Sequence, residues 1–312
     1  MTEQPLVTVV SPCYNEEGNV EELYRQVKAV FAGLPNYRYE HLFIDNASKD
    51  GTVAILRRLA AEDPSVKVIL NIKNFGHIRS PYYGLLQARV AAVILMASDL
   101  QDPPVMIPVL LKKWEEGNAI VVAVKNESEE NRLMFMVRKL YYNLMNRFSE
   151  IEQIKNFTGF GLYDQKFLEV LRTLNDPYPY FRGLVAELGF NRTEVTYVQP
   201  ARKCGKTKNN FYTLYDLAML GFVNHSKVPL RLASFIGFGM SVVSFAVGVI
   251  YLVYKLLFWD RFQAGLAPLT IGIFFFASVQ LFFIGVIGEY IGAIHTQVRH
   301  RPLVIEKERI NF

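Results

Sequence analysis

The sequence predicts an α/β fold in which a mostly parallel sheet, covered by helices on both faces, is followed by an amphipathic segment and two membrane-spanning helices. Two patterns predict it. Short apolar runs alternate with helical patterns through the first 125 residues, and the C-terminal quarter holds two long stretches without a formal charge.

The N-terminal pattern places strands over residues 6–11, 41–44, 66–70, 92–96 and 119–124, with helices over 20–31, 52–61, 81–89 and 104–116 between them. Pro103 and Pro104 open the last helix, where a missing N–H costs nothing because first-turn amides have no intrahelical partner. In open sheets of this kind ligands sit beyond the carboxyl ends of the strands. There the chain carries Pro12-Cys13-Tyr14-Asn15-Glu16-Glu17, then Asp45-Asn46-Ala47-Ser48-Lys49-Asp50-Gly51, then residues 71–77, then Ser98-Asp99-Leu100-Gln101-Asp102. Separate loops thus bring Asp45, Asp99 and Gln101 to one edge, although merely solvated loops would also carry acids.

There is no glycine-rich dinucleotide fingerprint and no phosphate loop ending Gly-Lys-Ser/Thr. Bare carboxylates repel a diphosphate, so a nucleotide bound at this edge implies a bridging divalent cation, Mg²⁺ or Mn²⁺.

Residues 232–254 and 262–288 run 23 and 27 residues without charge. As helices they would reach about 35 and 40 Å, against a hydrocarbon core of roughly 30 Å. Arg202, Lys203, Lys206, Lys208, Lys227 and Arg231 precede the first span, and Arg299, Arg301, Lys307 and Arg309 follow the second. The connection carries Lys255, Asp260 and Arg261. The bias of basic residues toward the cytoplasm therefore puts both flanks and both termini on the cytoplasmic side of an inner membrane. The formal charge of +5 is concentrated beside the bilayer, where anionic lipid and phosphate-bearing substrates are met, and calls for no nucleic acid. The N-terminus has no cleavable hydrophobic leader, and Cys13 and Cys204 form neither a metal-ligand spacing nor a disulfide framework.

The loops resemble those of the family 2 glycosyltransferases of GT-A (Rossmann-like) fold. Among these they are most similar to the polyprenyl-phosphate glycosyltransferases, the group of dolichol-phosphate mannose synthase and the bactoprenol glucosyltransferases. The resemblance rests on the first two loops above, on Asn74-Phe75-Gly76-His77, and on Asp99-Leu100-Gln101-Asp102-Pro103-Pro104. It continues through Phe181-Arg182-Gly183-Leu184-Val185, Pro229-Leu230-Arg231 and Gly288-Glu289-Tyr290, and so covers nearly the whole chain. The string after the fourth strand is the specific one.

The resemblance implies transfer of a sugar, with inversion, from a nucleotide-sugar donor to an undecaprenyl-type polyprenyl phosphate; UDP is the favoured nucleotide and glucose the default sugar. Pro12, Tyr14, Glu16, Glu17, Asp45 and Asn74 would bind the nucleotide, and Asp99 with Gln101 would hold the metal and diphosphate. Asp102 is left to capping or support. Residues 1–208 would form the catalytic domain, 209–231 an interfacial segment, 232–294 the anchor and 295–312 a cytosolic tail.

Three departures stand out. Many relatives read Asp-Ala-Asp-Leu-Gln where this chain has Ala97-Ser98-Asp99-Leu100-Gln101. Asn46 replaces the second of two usual acids. Thr158-Gly159-Phe160-Gly161-Leu162 stands where many bacterial relatives have Gly-Asp-Phe-Arg-Leu, which removes a candidate catalytic Asp and a nearby Arg. A phosphate nucleophile makes the last loss tolerable: its second pKa of about 6 leaves it largely ionised near neutrality, so no strong general base is required.

An anionic acceptor needs cations near the membrane. Arg202-Lys203-Cys204-Gly205-Lys206-Thr207-Lys208 supplies four and resembles the family's Arg-x-x-Gly-x-Ser-Lys loop, which implies that Arg202, Thr207 and Lys208 meet the acceptor phosphate. A solvated or lipid-facing basic run is the alternative. Lys125, Arg132, Arg138 and Arg182 are further candidates, and Arg138 could equally face outward on a helix over 132–148. Phe211, Leu214, Tyr215, Ala218 and Phe222 recur at helical spacing, as in an interfacial helix or a plain core helix. Glycines 237, 239, 248, 285, 288 and 292 would permit close helix packing in a homo-oligomer. A processive polysaccharide synthase is disfavoured, because Gln-x-x-Arg-Trp is absent and two spans form no channel. A non-catalytic membrane scaffold that retained the fold is the rival from another class.

Overall fold

The computed structural model describes residues 4–126, 154–200, 219, 221, 223, 226–258 and 266–312. Its first half follows the alternation in the sequence: β1 (Leu6–Cys13), α1 (Val20–Ala32), β2 (Arg38–Asp45), α2 (Thr52–Glu62), β3 (Val66–Asn71), α3 (Gly76–Gln87) and β4 (Ala92–Leu95). A 3-10 turn (Pro104–Met106) leads into α4 (Ile107–Glu115) and β5 (Ile120–Lys125). After these come β6 (Phe157–Asp164), α5 (Gln165–Leu174), α6 (Phe181–Glu187) and β7 (Arg192–Tyr197). The chain ends with α7 (Val228–Leu257), α8 (Leu266–Val298) and β8 (Glu306–Ile310).

The strands form one eight-stranded sheet in the order β7-β5-β6-β4-β1-β2-β3-β8. β1, β2, β3 and β4 pair in parallel, as do β5 and β7. β6 runs antiparallel between β4 and β5, and β8 lies antiparallel on β3. The sheet is thus mostly parallel, as expected, but β6 separates β4 from β5, which the sequence placed only as successive strands.

Both faces of the sheet are buried, so the strands read as continuous apolar runs rather than as alternation. Val7, Val9, Phe43 and Val68 pack with Leu23 and Val27 of α1, Leu56 and Leu59 of α2, and Leu110 of α4. Val10, Leu42, Ile44 and Ile69 face the other way, against Tyr82 and Leu85 of α3, Phe167 and Leu171 of α5, and Val185 of α6. Successive side chains along a strand therefore go to alternate layers.

α3 begins at Gly76, five residues before the expected start, and Pro81 lies inside it. The reason is side-chain acceptors at its start, one from the preceding segment and one from a neighbouring loop. Asn74 Oδ1 accepts from the Gly76 N–H at 2.7 Å and Asn46 Oδ1 from the Phe75 N–H at 2.8 Å, which satisfies donors at the helix start. Pro81 then forfeits only the one bond its N–H would have made to the first turn.

α7 and α8 contain two 30-residue stretches of mean hydropathy 2.2, long and apolar enough to cross a membrane, with their side chains outward rather than in the sheet core. The Tyr290 hydroxyl of α8 donates to the Ser226 carbonyl, just before α7, at 2.7 Å, and Gln297 Nε2 ties α8 to the sheet domain by donating to Asp176 Oδ1 at 3.0 Å. Residues 295–312, expected as a tail, instead carry β8 onto the edge of the sheet.

Candidate active site

The carboxyl ends of β1, β2, β3 and β4 open onto a cleft of about 380 Å³ lined by Pro12, Tyr14, Glu16, Asn46, Asn74 and Asp99 among others. A second cavity of about 180 Å³ adjoins it and is lined by Thr158, Gly159, Tyr180, Phe181, Arg182 and Asp102 among others. Pro12, His77, Pro81 and Ala97 line both, so the two lie side by side along a shared wall.

Four of the expected nucleotide residues, Pro12, Tyr14, Glu16 and Asn74, line the outer cleft directly. Glu17 braces the loop instead: its carboxylate accepts from the Gly51 N–H at 2.6 Å. Asp45 is 1% exposed, accepts from the Ser48 N–H at 2.9 Å and lies 4.0 Å from Cys13 Sγ. Burial raises the Asp45 pKa, opposed by its hydrogen bonds to Ser48. The structure therefore sets Asp45 beneath the Cys13 and Asn46 lining rather than in it.

Asp99 reaches the outer cleft on a tight turn. Its Oδ1 accepts from the Gln101 N–H at 3.2 Å, and Leu100 between them takes φ +61 with its side chain buried. A left-handed leucine costs of order 1–3 kcal/mol and persists where surroundings enforce it, often at functional sites. Gln101 contributes its backbone to this turn, and its side chain lines neither cavity. Asp102 has a different task. It is 5% exposed and accepts from the Ala97 N–H at 2.9 Å and the Tyr197 hydroxyl at 3.1 Å, so it locks the loop and does not cap the following helix. Burial pushes its pKa up to about 6.

Among the described residues no group of three His, Cys, Asp or Glu side chains could hold a metal. The donor set, Asp99 with Ala97 where a second carboxylate is usual, does not make an all-protein cage. It fits a hard cation held by one carboxylate together with diphosphate oxygens and water, as Mg²⁺ commonly is.

Arg182 lines the inner cavity, donates to the Phe157 carbonyl at 3.3 Å and stands 5.9 Å from the Tyr180 ring centre. His77 sits at the junction of the two cavities. Its pKa is lowered, by partial desolvation first and by the Arg182 charge second, while its edge stays open to the cleft. Lys125 lines neither cavity and points to Gln199 Oε1 at 3.4 Å. Arg138, Arg202, Thr207 and Lys208 lie outside the described residues, as does most of the expected interfacial segment.

His77 and Phe181 stand inside the strings that carry the resemblance but without an assigned role there, and Tyr180 lies just outside them, since sequence spacing does not say which loop residues face inward. The missing Arg of the β6 string has a local cause. A Cβ at Gly161 would stand 2.5 Å from the Val121 carbonyl oxygen, at a register shift between β5 and β6, so no side chain fits. Gly159, at φ +109, occupies the position of the missing Asp and leaves the inner cavity open beside Phe181.

Residues 8–171 match Glycosyl transferase family 2, and residues 229–294 match the GtrB C-terminal hairpin. The chain is 36% identical over 299 residues to the uncharacterized glycosyltransferase YkcC of Bacillus subtilis (strain 168), covering 96% of this chain and 92% of that protein. It is 34% identical over 302 residues to the bactoprenol glucosyl transferase of Shigella phage SfV, covering 96% and 98% respectively. A prophage bactoprenol glucosyl transferase homolog of Escherichia coli (strain K12) is 32% identical over 302 residues, covering 96% and 98%. With a family match over more than half its length, and relatives of this identity aligned nearly end to end, the chain belongs to glycosyl transferase family 2.

Proposed function

We propose that the protein transfers a hexose, glucose by default, from a UDP-sugar to polyprenyl phosphate at the cytoplasmic face of an inner membrane, with inversion at the anomeric carbon. One observation carries this reading: an outer cleft bearing Asp99 adjoins an inner cavity bearing Arg182, in a sheet domain followed by two membrane-length helices, the second of them bonded back to it. Bactoprenol glucosyl transferases among the relatives favour glucose as the sugar and a polyprenyl carrier as the acceptor.

In this reading the nucleotide lies over Pro12, Tyr14 and Glu16, with Asn74 at its side, and the diphosphate approaches Asp99. A divalent cation, Mg²⁺ or Mn²⁺, held by Asp99 would neutralise the departing diphosphate, with Gln101 shaping the turn that presents the carboxylate. The Asp99–Gln101 turn orients the carboxylate before any ligand arrives. Arg182 faces the inner cavity, where its planar fork of donors matches phosphate oxygens. Arg202, Thr207 and Lys208, with Arg138 and Lys125 as secondary candidates, would complete the acceptor-phosphate site from beside the membrane. The attacking oxygen forms the new bond to the anomeric carbon as the bond to UDP breaks, and the ionised nucleophile makes a protein base unnecessary.

The orientation has independent support. β8 follows the second span and pairs with β3, so both flanks of the hairpin lie on one side of any bilayer it crosses.

The test is a donor panel with the purified full-length protein and a short polyprenyl phosphate, with Asp99→Ala alongside. Wild-type protein should form polyprenyl-phosphate glucose from UDP-glucose. Asp99→Ala should stay folded and membrane-bound yet lose on the order of 3 kcal/mol of transition-state stabilisation, a hundredfold or more in rate. Near-normal turnover by Asp99→Ala would sink the metal assignment, and no product with any donor would sink the enzymatic reading.

A further inference from the structure

We propose that Asn46 is a positioning residue for donor binding: its amide stitches the end of β2 to the Asn74–His77 turn and thereby sets one wall of the nucleotide cleft. The proposal rests on the reading of that cleft as the donor site.

Asn46 is 7% exposed, and both ends of its amide are fully used. Nδ2 donates to the Gly76 carbonyl at 3.1 Å and to Asn74 Oδ1 at 2.9 Å. Oδ1 accepts from the Phe75 N–H at 2.8 Å and from Asn71 Nδ2 at 3.2 Å. The orientation of the amide is fixed by chemistry, because the Phe75 N–H can only donate and the Gly76 carbonyl can only accept. Asn71 Nδ2 also donates to Ser80 Oγ at 3.1 Å, and Asn74 Oδ1 accepts from the Gly76 N–H, so the network reaches from β2 through β3 into α3. Gly76 turns at φ +89. Asn74, Gly76, His77 and Ser80 all line the outer cleft, so whatever fixes this turn fixes that wall.

The network also accounts for an amide where related sequences carry a second acid. A carboxylate at 46 would accept from Phe75 and Asn71 as before, but its other oxygen would face two acceptors, the Gly76 carbonyl and Asn74 Oδ1. The turn would be released. A protonated carboxyl restores one donor, which makes Asn46→Asp a pH-reversible lesion. The titratable groups around the position are Asp45 beside it, Cys13 on β1 and His77 on α3, with Glu16 and Asp99 across the cleft. Burial and the Asp45 carboxylate both favour the protonated form of a new acid there.

The experiment measures UDP binding by calorimetry in the presence of Mn²⁺, with full-length wild type, Asn46→Asp and Asn46→Ala at pH 8 and pH 6, each variant expressed relative to wild type at that pH. Asn46→Asp should bind UDP about tenfold or more weakly at pH 8 and recover to within about threefold at pH 6. Asn46→Ala should be weak at both. With UDP-glucose the loss should fall on KM more than on kcat. Equal binding by wild type and both variants, or an Asn46→Asp defect unchanged between the two pH values, overturns the positioning role. Failure of wild type to bind UDP would instead refute the donor cleft itself. Should Asn46→Asp not fold, Asn74→Ala removes an exposed partner without burying a charge. It should weaken UDP binding in the same direction, and unchanged binding would overturn the proposal.

Discussion

Two acids three residues apart, Asp99 and Asp102, show how far one string can be read. Residue type and order identify the loop, and Asp99 does line the cleft; burial then separates its role from that of Asp102, which is enclosed by Ala97 and Tyr197. Asp45 shows the limit of such reading. It follows its strand as expected, yet its side chain turns into the loop toward Ser48, because pattern gives position along the chain and not depth. Asp102 carries a stability prediction with a definite sign. Its folded pKa, raised by burial to about 6 from 3.8, means the native state holds a proton that the unfolded chain has released between about pH 4 and pH 6. Stability contributed by this group therefore falls as pH rises through that window, by up to roughly 3 kcal/mol. In Asp102→Asn the new amide could still accept from the Ala97 N–H and donate to the Tyr197 oxygen. Thermal melts of this variant should thus depend less on pH than wild type between pH 4 and 7, and parallel curves would show that Asp102 holds no such proton.

At the scale of elements, β1 through β5 were legible because each holds a short apolar run bounded by turn residues, and both its faces are buried. The later strands lack that signal. β6 contains two glycines, β7 alternates polar residues near an edge, and β8 is Glu306-Lys307-Glu308-Arg309-Ile310, whose charges suit an edge strand and hide it from any hydrophobic pattern. α3 starts earlier than its local pattern suggests because Asn46, on another loop, joins Asn74 in satisfying the donors at its start. β6 supplies the prediction at this scale. Gly161→Ala puts a methyl group 2.5 Å from the Val121 carbonyl oxygen, and the obstacle is backbone held in the middle of the sheet. Overpacking of this kind costs typically 1–3 kcal/mol, so the variant should melt measurably lower than wild type. An unchanged melting temperature would mean that β5 and β6 can shift register freely, and that the absence of an Arg at 161 has no steric cause.

The whole molecule is organised by a connection that crosses the full length of the chain. The two membrane-length helices leave the sheet domain after β7, and the chain returns to pair β8 with β3, in the register Val68 with Ile310, Ile69 with Arg309 and Leu70 with Glu308. Side chains reinforce the pairing. Arg57 meets Glu308, the Tyr83 hydroxyl donates to Glu306 at 2.8 Å, Arg309 reaches Gln87 at 2.6 Å, and Asn311 Nδ2 donates to the Ala60 carbonyl at 2.6 Å. The anchor is thus held at both ends, and a chain stopped before α7 would lose an edge strand as well as its spans. Exposed ion pairs contribute little because water screens them, whereas a strand removed from an edge exposes a row of backbone donors and acceptors on β3. Ending the chain at residue 302 should therefore lower the melting temperature and, in vesicles, reduce transfer to a long-chain acceptor more than it reduces UDP affinity, because the nucleotide loops keep their own bonds while the domain loses its second tether. Glu308→Gln, which removes only the exposed ion pair, should behave close to wild type. If the shortened chain melts and turns over as wild type does, β8 neither completes the sheet nor orients it over the membrane.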